Sequence, residues 1–336
     1  MTATAPHLAR RLMVVAAVLT AALLIAIFIG LAAGSAGGGF LAVIHSLSSH
    51  SDAHLLHDII WRLRLPRVLL AALLGATLSL GGMVFQALLR NPLAEPYILG
   101  VSGGSAIGAI VGILLGLSRF PGVWAMAFVG SLATLGVLFL MAAGRSFMRS
   151  DTLLLSGVMV NAFCAAVIMF LVSMAQDSRL QNIIFWLMGD LSAAAIGSVG
   201  VLAATVLPCF LLIYTRSHSM NLLALGSDMA RNMGVNVQAT TALLLIVTSL
   251  MVSATVSYCG LVGFVGLVIP HMLRMVLGPD HRVLAPACIL GGASFMVLCD
   301  VIARTLPPQG EMPVGVISAM IGAPLFVYLL RKSHNT

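Results

Sequence analysis

Residues 64–90 read RLPRVLLAALLGATLSLGGMVFQALLR, arginine at both ends and, apart from Arg67, no charge in between. A helix rises about 1.5 Å per residue, so the apolar stretch 66–88 matches the roughly 30 Å hydrocarbon core of a bilayer. Working outward, the pattern recurs. Candidate spans lie at 12–33, 66–88, 97–117, 121–143, 153–175, 194–214, 239–258, 260–277, 284–303 and 314–330. The run 260–277 is the weakest, because Pro270, His271 and Arg274 interrupt it. The first run follows Arg10 and Arg11 and is longer than the apolar core of about 7–15 residues in a secretory signal, so it reads as a retained span. Ile183–Met188 is too short to cross and is expected at an interface.

Composition agrees. Of the 336 residues, 60% are hydrophobic and only 8% charged, against about 25% charged in soluble domains. The reading is one all-α, polytopic transmembrane unit over 1–336. Soluble enzymes, secreted disulfide scaffolds and nucleic-acid binders are excluded, since the net charge of +7 sits at span edges. Five cysteines, all in apolar stretches and none in a C-x-x-C, read as small buried hydrophobes. Lys332 is the single lysine, so there is no Gly-x-x-x-x-Gly-Lys-Ser/Thr phosphate loop. Any ATP must be hydrolysed by another chain.

Basic residues set orientation. With both termini in the cytoplasm, Arg10, Arg11, Arg90, Arg145, Arg149, Arg216, Arg231, Arg274, Arg282, Arg331 and Lys332 fall inside. Arg62, Arg64, Arg67, Arg119, Arg179 and Arg304 fall outside, and three of them share one hexapeptide. That cluster is either interfacial snorkelling or an electropositive docking patch for an acidic partner.

Gly100, Gly104, Gly108, Gly112 and Gly116 recur every fourth residue, the small-x-x-x-small spacing that lets helices approach closely. A bare wall along a wide pathway is the alternative. Pro208, Pro270, Pro286 and Pro324 interrupt spans, with no intramembrane carboxylate beside them to build an ion site. Asp300, the acidic residue well inside a span, lies four before Arg304, the spacing of a helix ion pair. His45, His50, His54 and His57 crowd the first external loop without the spacing of a defined metal site, and no metal ligand is assigned. In the longest cytoplasmic loop, Gly226–Gly234 reads as a short helix with Ser227 as N-cap and Gly234 as stop. Met229, Ala230 and Met233 are expected on one face of it.

In combination these blocks resemble the permease subunits of type II ATP-binding-cassette importers, the iron-siderophore, haem and vitamin B12 group. The resemblance rests on Arg64-Leu-Pro-Arg67, Gly81-Gly82-Met83-Val84-Phe85-Gln86, Asn91-Pro92-Leu93-Ala94-Glu95-Pro96 and Leu99-Gly100-Val101-Ser102-Gly103-Gly104. Further blocks are Ala224-Leu225-Gly226 with Ala230-Arg231 and Gly234, then Gly263–His271 with Asp280-His281-Arg282. Asp300 with Arg304, Pro313-Val314-Gly315 and Gly322-Ala323-Pro324 complete it. It implies ten transmembrane helices, a homodimer with the pathway on its two-fold axis, and two separate ATPase subunits that hold ATP and magnesium. This chain itself would bind no cofactor and carry no catalytic residue. It also implies ATPase coupling through Gly226, Ser227, Asp228, Met229, Ala230, Arg231, Met233 and Gly234. A substrate-binding protein would dock on Arg64, Arg67 and Arg304. The family's cytoplasmic gate maps to Ser150, Asp151 and Thr152, where Asp151 departs from the small hydroxyl residues of the pattern. The implied cargo is a ferric siderophore, haem or cobalamin, with iron complexes the commonest in the group. The competing class, an ATP-independent transporter or channel, calls for intramembrane carboxylates or a polar filter that the sequence lacks.

Overall fold

The computed structural model describes residues 5–33, 58–142, 150–307 and 310–334. Every regular element among them is helical. Helix α1 (Ala5–Ala32) is followed by a π-helical turn, Ile59–Arg64, that runs straight into α2 (Leu65–Leu88). A 3-10 turn, Pro96–Leu99, leads to α3 (Val101–Leu114), then α4 (Trp124–Ala142) and α5 (Ser150–Ser173). The short α6 (Asp177–Leu187) precedes α7 (Ile196–Thr215). A hairpin of α8 (Ser217–Ala224) and α9 (Ser227–Asn232) leads to α10 (Val237–Cys259). The chain closes with α11 (Val265–Leu277), α12 (His281–Thr305) and α13 (Val314–His334).

Seven helices among the described residues are long and apolar enough to cross a membrane. Three shorter apolar helices, at 101–114, 265–277 and 314–329, occupy the remaining candidate spans. Two spans are shorter than expected for visible reasons. The segment expected from 97 opens as a 3-10 turn that ends on Gly100 in the left-handed region, so α3 starts at Val101. The segment expected from 260 is non-helical until Phe264, itself left-handed at φ 68°, and α11 follows from Val265.

The centre of the bundle is α2, packed chiefly on α12 and then on α11 and α10. Its glycines explain how it gets so close. A Cβ on Gly75 would stand 2.0 Å from the Gly292 carbonyl oxygen of α12, and one on Gly82 would stand 1.8 Å from that of Gly266 in α11. In an apolar solvent, where hydrophobic collapse cannot join helices, such backbone-to-backbone approach supplies the dispersion contact that does. The glycine stripe of α3 is used in the same way. A Cβ on Gly104 or Gly108 would run into Gly130 and Thr134, or Met126, of α4. All five cysteines are buried free thiols. Large apolar side chains on α1 (Met13, Val18, Leu24), α5 (Phe163, Met169, Phe170) and α13 (Met320, Val327) point outward, the surface expected of a chain solvated by lipid or by a second copy.

Candidate functional site

Two of the places the sequence singles out lie toward opposite ends of α12. At its C-terminal end, Arg64, Arg67 and Arg304 converge, all buried at 7%, 8% and 8% exposure. Their partners are internal. Arg67 Nε donates to Asp300 Oδ1 at 2.8 Å, and its Nη1 meets the Glu311 carboxylate. Arg304 Nε forms an ion pair with Asp300 Oδ2 at 3.1 Å. The remaining guanidinium donors go to the end of α1. Arg304 Nη2 reaches the Gly30 carbonyl at 2.8 Å and its Nη1 that of Ala33 at 3.4 Å. Arg64 Nη1 reaches Leu31 at 2.8 Å and Ala32 at 3.3 Å.

The last carbonyls of a helix have no intrahelical donor, and they carry its negative pole. Two arginines therefore cap α1, while Asp300 sits between Arg67 and Arg304 and, with Glu311, offsets part of the charge the cluster brings into the bundle. The i,i+4 spacing of Asp300 and Arg304 announced one bond of this cluster. It could not announce Arg67, Glu311 or the α1 carbonyls, whose approach depends on how α2 and α1 pack against α12. Arg62, the fourth arginine of the region, is exposed and pairs with Asp58 at 3.1 Å.

Toward the other end lies the α8–α9 hairpin. Helix α9 is shorter than the expected 226–234, and its cap differs. Gly226, at φ 126°, is the residue before the helix, and Ser227 is already its first member. Gly234 is left-handed at φ 85° just beyond the end, a stop at a position that favours glycine. The expected common face divides in two. Ala230 is fully buried against Leu222 and Leu223 of α8, whereas Met229 and Met233 are more than half exposed, beside an exposed Leu225. Asp228 and Arg231 are also exposed, 4.0 Å apart. The result is a knob pinned by one alanine, with an apolar, adaptable outer surface.

The family model of the FecCD transport family matches residues 22–332. The chain belongs to that family. The vitamin B12 import system permease protein BtuC of Citrobacter koseri is 40% identical over 277 residues, covering 82% of this chain and 84% of the relative. BtuC of Salmonella arizonae is 39% identical over 275 residues, with 82% and 83% covered. A solved structure described as an inward-facing metal-chelate type ABC transporter superposes with a TM-score of 0.84 at 33% identity, covering 94% of this chain and 98% of that one. PsaBC from Streptococcus pneumoniae, solved with a Fab, covers 85% and 95% at a TM-score of 0.59 and 17% identity, and shares the fold alone. The protein is a multi-pass membrane permease subunit of an ABC importer of this type, a transport protein and not an enzyme.

With this FecCD-family frame, the motif blocks find physical roles that their spacing did not reveal. Glu95 Oε1 accepts from the Phe264 backbone N–H at 2.9 Å, so one block caps the strained start of α11 in another. Burial raises the Glu95 carboxyl, and the Phe264 bond only partly offsets it. Tyr97 Oη donates to the Val262 carbonyl at 2.9 Å and accepts from its N–H at 3.1 Å, fastening the same junction. Gly315 N donates to Met188 O at 3.1 Å and Asp190 N to Cys259 O at 2.9 Å, which joins the ends of α6 and α10 to the start of α13. Ile183 and Trp186 of α6 are buried, so the piece expected at an interface is half in the bundle.

A cavity of about 580 Å³ opens beside α6, lined by Arg119, Arg179, Gln181, Asn182, Phe185 and Asp190 among others. Arg119 Nη2 donates to Asp190 Oδ2 at 2.6 Å, and Arg179 caps α3 at the Leu114 carbonyl. Burial alone would raise the Asp190 carboxyl, but Arg119 and Ser192 bring it below its ordinary value. Of the expected gate, Ser150, Asp151 and Thr152 form the first turn of α5, and their side chains lie outside the described residues. So do His45, His50, His54 and His57.

Proposed function

We propose that this permease is the membrane conduit of an ATP-driven importer whose cargo is a cobalamin-type corrinoid. It works as a homodimer in the bacterial inner membrane, with both termini in the cytoplasm. Two ATPase subunits grip the α9 knobs and supply the nucleotide chemistry, and a substrate-binding protein delivers cargo at the Arg64–Arg67–Arg304 end. The observation that carries the reading is 40% identity, across more than four fifths of both chains, to a permease named for vitamin B12 import. A ferric siderophore or haem remains the second cargo class, supported by the 33% identical metal-chelate type structure.

The described residues supply the mechanical parts this role needs. The α9 knob offers Leu225, Met229 and Met233 to a cleft in a cytoplasmic partner. The glycine-mediated crossings of α2 make the core stiff, so displacement at one end is passed on as rigid motion and not absorbed. ATP binding draws the ATPases together, the knobs follow, and the bundle alternates between faces. At the arginine end, acidic groups of the binding protein set its register and speed its arrival more than they add affinity.

The test is reconstitution. Vesicles holding the permease, its ATPase and its loaded binding protein are expected to take up cobalamin only with ATP, and to take up ferric siderophore at background rates. Uptake by the permease alone, with no nucleotide, would overturn the ATP-driven reading. Preference for an iron chelate would overturn the cargo while leaving the engine intact.

A further inference from the structure

We infer that Asn221 is a positioning residue that fastens the α8–α9 hairpin to α12, so that motion of the knob is passed along α12 to the arginine cluster at its far end. The inference rests on the ATP-driven reading above and adds a route that the sequence motifs do not contain.

Asn221 lies on α8, one residue before the leucines against which Ala230 of α9 is buried. Its side chain uses both of its ends. Nδ2 donates to Asp280 Oδ1 at 2.7 Å. Oδ1 accepts from the His281 backbone N–H at 2.8 Å and lies 2.7 Å from His281 Nδ1. Because the acceptor there is a carbonyl oxygen, His281 donates its Nδ1 proton. Asp280 is at the same time the N-cap of α12, accepting from Arg282 N at 3.0 Å, and pairs with the Arg282 guanidinium at 2.8 Å. Burial would push the Asp280 carboxyl up, yet bonds from Arg282 and Asn221 bring it down to about 2. Asp280 is therefore a carboxylate at neutral pH, the form that accepts from both Asn221 and Arg282.

One amide thus holds three groups at the first turn of α12. Leucine has similar bulk but no polar atom, and aspartate would place a carboxylate against Asp280. Asn221 is suited to the joint because it donates and accepts in one plane. From His281, α12 runs 19 residues to Asp300, about 28 Å at the helical rise. There Asp300 and Arg304 hold Arg67 and the end of α1. The helix is clamped at both ends and packs more extensively on α2 than on any other element. A continuous path of rigid contacts runs from Ala230 through Leu222, Asn221 and α12 to Arg304. Coupling along such a path is read as an effect at one end caused by a change at the other.

The experiment uses the full importer in vesicles, permease with ATPase and binding protein, carrying Asn221→Leu or Asn221→Gln. The readouts are complex yield, basal ATP hydrolysis, its stimulation by loaded binding protein, and cargo moved per ATP. Asn221→Leu is expected to assemble and to keep basal hydrolysis, while stimulation and cargo per ATP fall about tenfold, within the usual range of coupling between sites. Asn221→Gln keeps the amide but displaces it by one methylene, and is expected to lose part of both. A purely structural role would lower yield and melting temperature yet leave cargo per ATP unchanged in the complex that forms, and that result overturns the inference. Should Asn221→Leu fail to assemble, wild-type coupling in Asn221→Gln overturns it equally. Wild-type vesicles that transport without ATP remove the importer reading itself, and this inference with it.

Discussion

The arginine cluster and the α9 knob both look like docking surfaces in the sequence, but the folded chain treats them in opposite ways. Arg64, Arg67 and Arg304 are almost wholly buried and committed to Asp300, Glu311 and the carbonyls of α1. Met229 and Met233 are bare, and a single buried alanine holds their helix. The difference follows from what each side chain costs when left unpartnered. A guanidinium near lipid must find acceptors, and free helix carbonyls are the nearest supply. A methionine on an exposed helix loses little by waiting. A partner at the arginine end must therefore join or displace bonds already made, whereas a partner at the knob only has to cover it.

The strongest way to break this comparison is to remove the anion that makes the arginine cluster possible. Asp300 has no exposed side-chain surface, and Arg67 and Arg304 flank it at 2.8 and 3.1 Å. Asp300→Ala leaves two buried cations facing each other. Breaking a buried pair in this way costs about 3–5 kcal/mol. The expected outcome is a large fall in the melting temperature of the purified permease, with α1 released first, visible as protease access near residue 33. A melting temperature equal to wild type would show that the cluster is surface decoration.

The matching change at the knob should do the reverse. Met229→Ser with Met233→Ser removes apolar surface that is more than half exposed, so the melting temperature should stay within error. Fully burying a methionine is worth roughly 1.5–3 kcal/mol and about half of each remains to be covered, so losing two should weaken ATPase capture by about 1.5–3 kcal/mol. Co-purification of the ATPase from detergent reads this directly. Undiminished capture would move the coupling surface elsewhere.

How much of this was legible beforehand depended on the range of each interaction. Local features came through well. The apolar runs located the helices, Gly234 marked a stop, and Asp300 with Arg304 marked an ion pair. Non-local ones did not. Nothing in the string says that Glu95 caps Phe264, or that Asn221 reaches Asp280 across 59 positions, because the first depends on how α2 packs on α11 and the second on how α8 packs on α12. Helical periodicity groups Met229, Ala230 and Met233, but α8 packs across that group and takes Ala230 away. Residue preference favours Ser227 as the cap, yet the chain reverses at Gly226, whose φ of 126° few residues other than glycine adopt, and Ser227 is already the first residue of the helix. Burial of the arginines was hidden as well, since their acceptors are backbone carbonyls that carry no sequence signature.

The smallest expected effect is the sharpest test of whether the arginine end is open to a partner at all. Glu311 is the one member of the cluster with substantial exposure, its side chain 46% accessible, and it contacts only Arg67 within it. Solvent screens that pair, so Glu311→Gln should change stability by less than about 1 kcal/mol. Arg67 would keep Asp300 but regain a free Nη1 donor. If the binding protein docks through carboxylates, Glu311 competes with them, and its neutral variant should bind the protein severalfold more tightly at low salt. The gain should shrink as ionic strength shortens the reach of the freed charge. Weaker binding in Glu311→Gln would mean instead that Glu311 holds Arg67 in the docking geometry. Unchanged binding at every salt concentration would mean that Arg67 serves the fold alone, and that the exposed Arg62 is the guanidinium of this region left for a partner to meet.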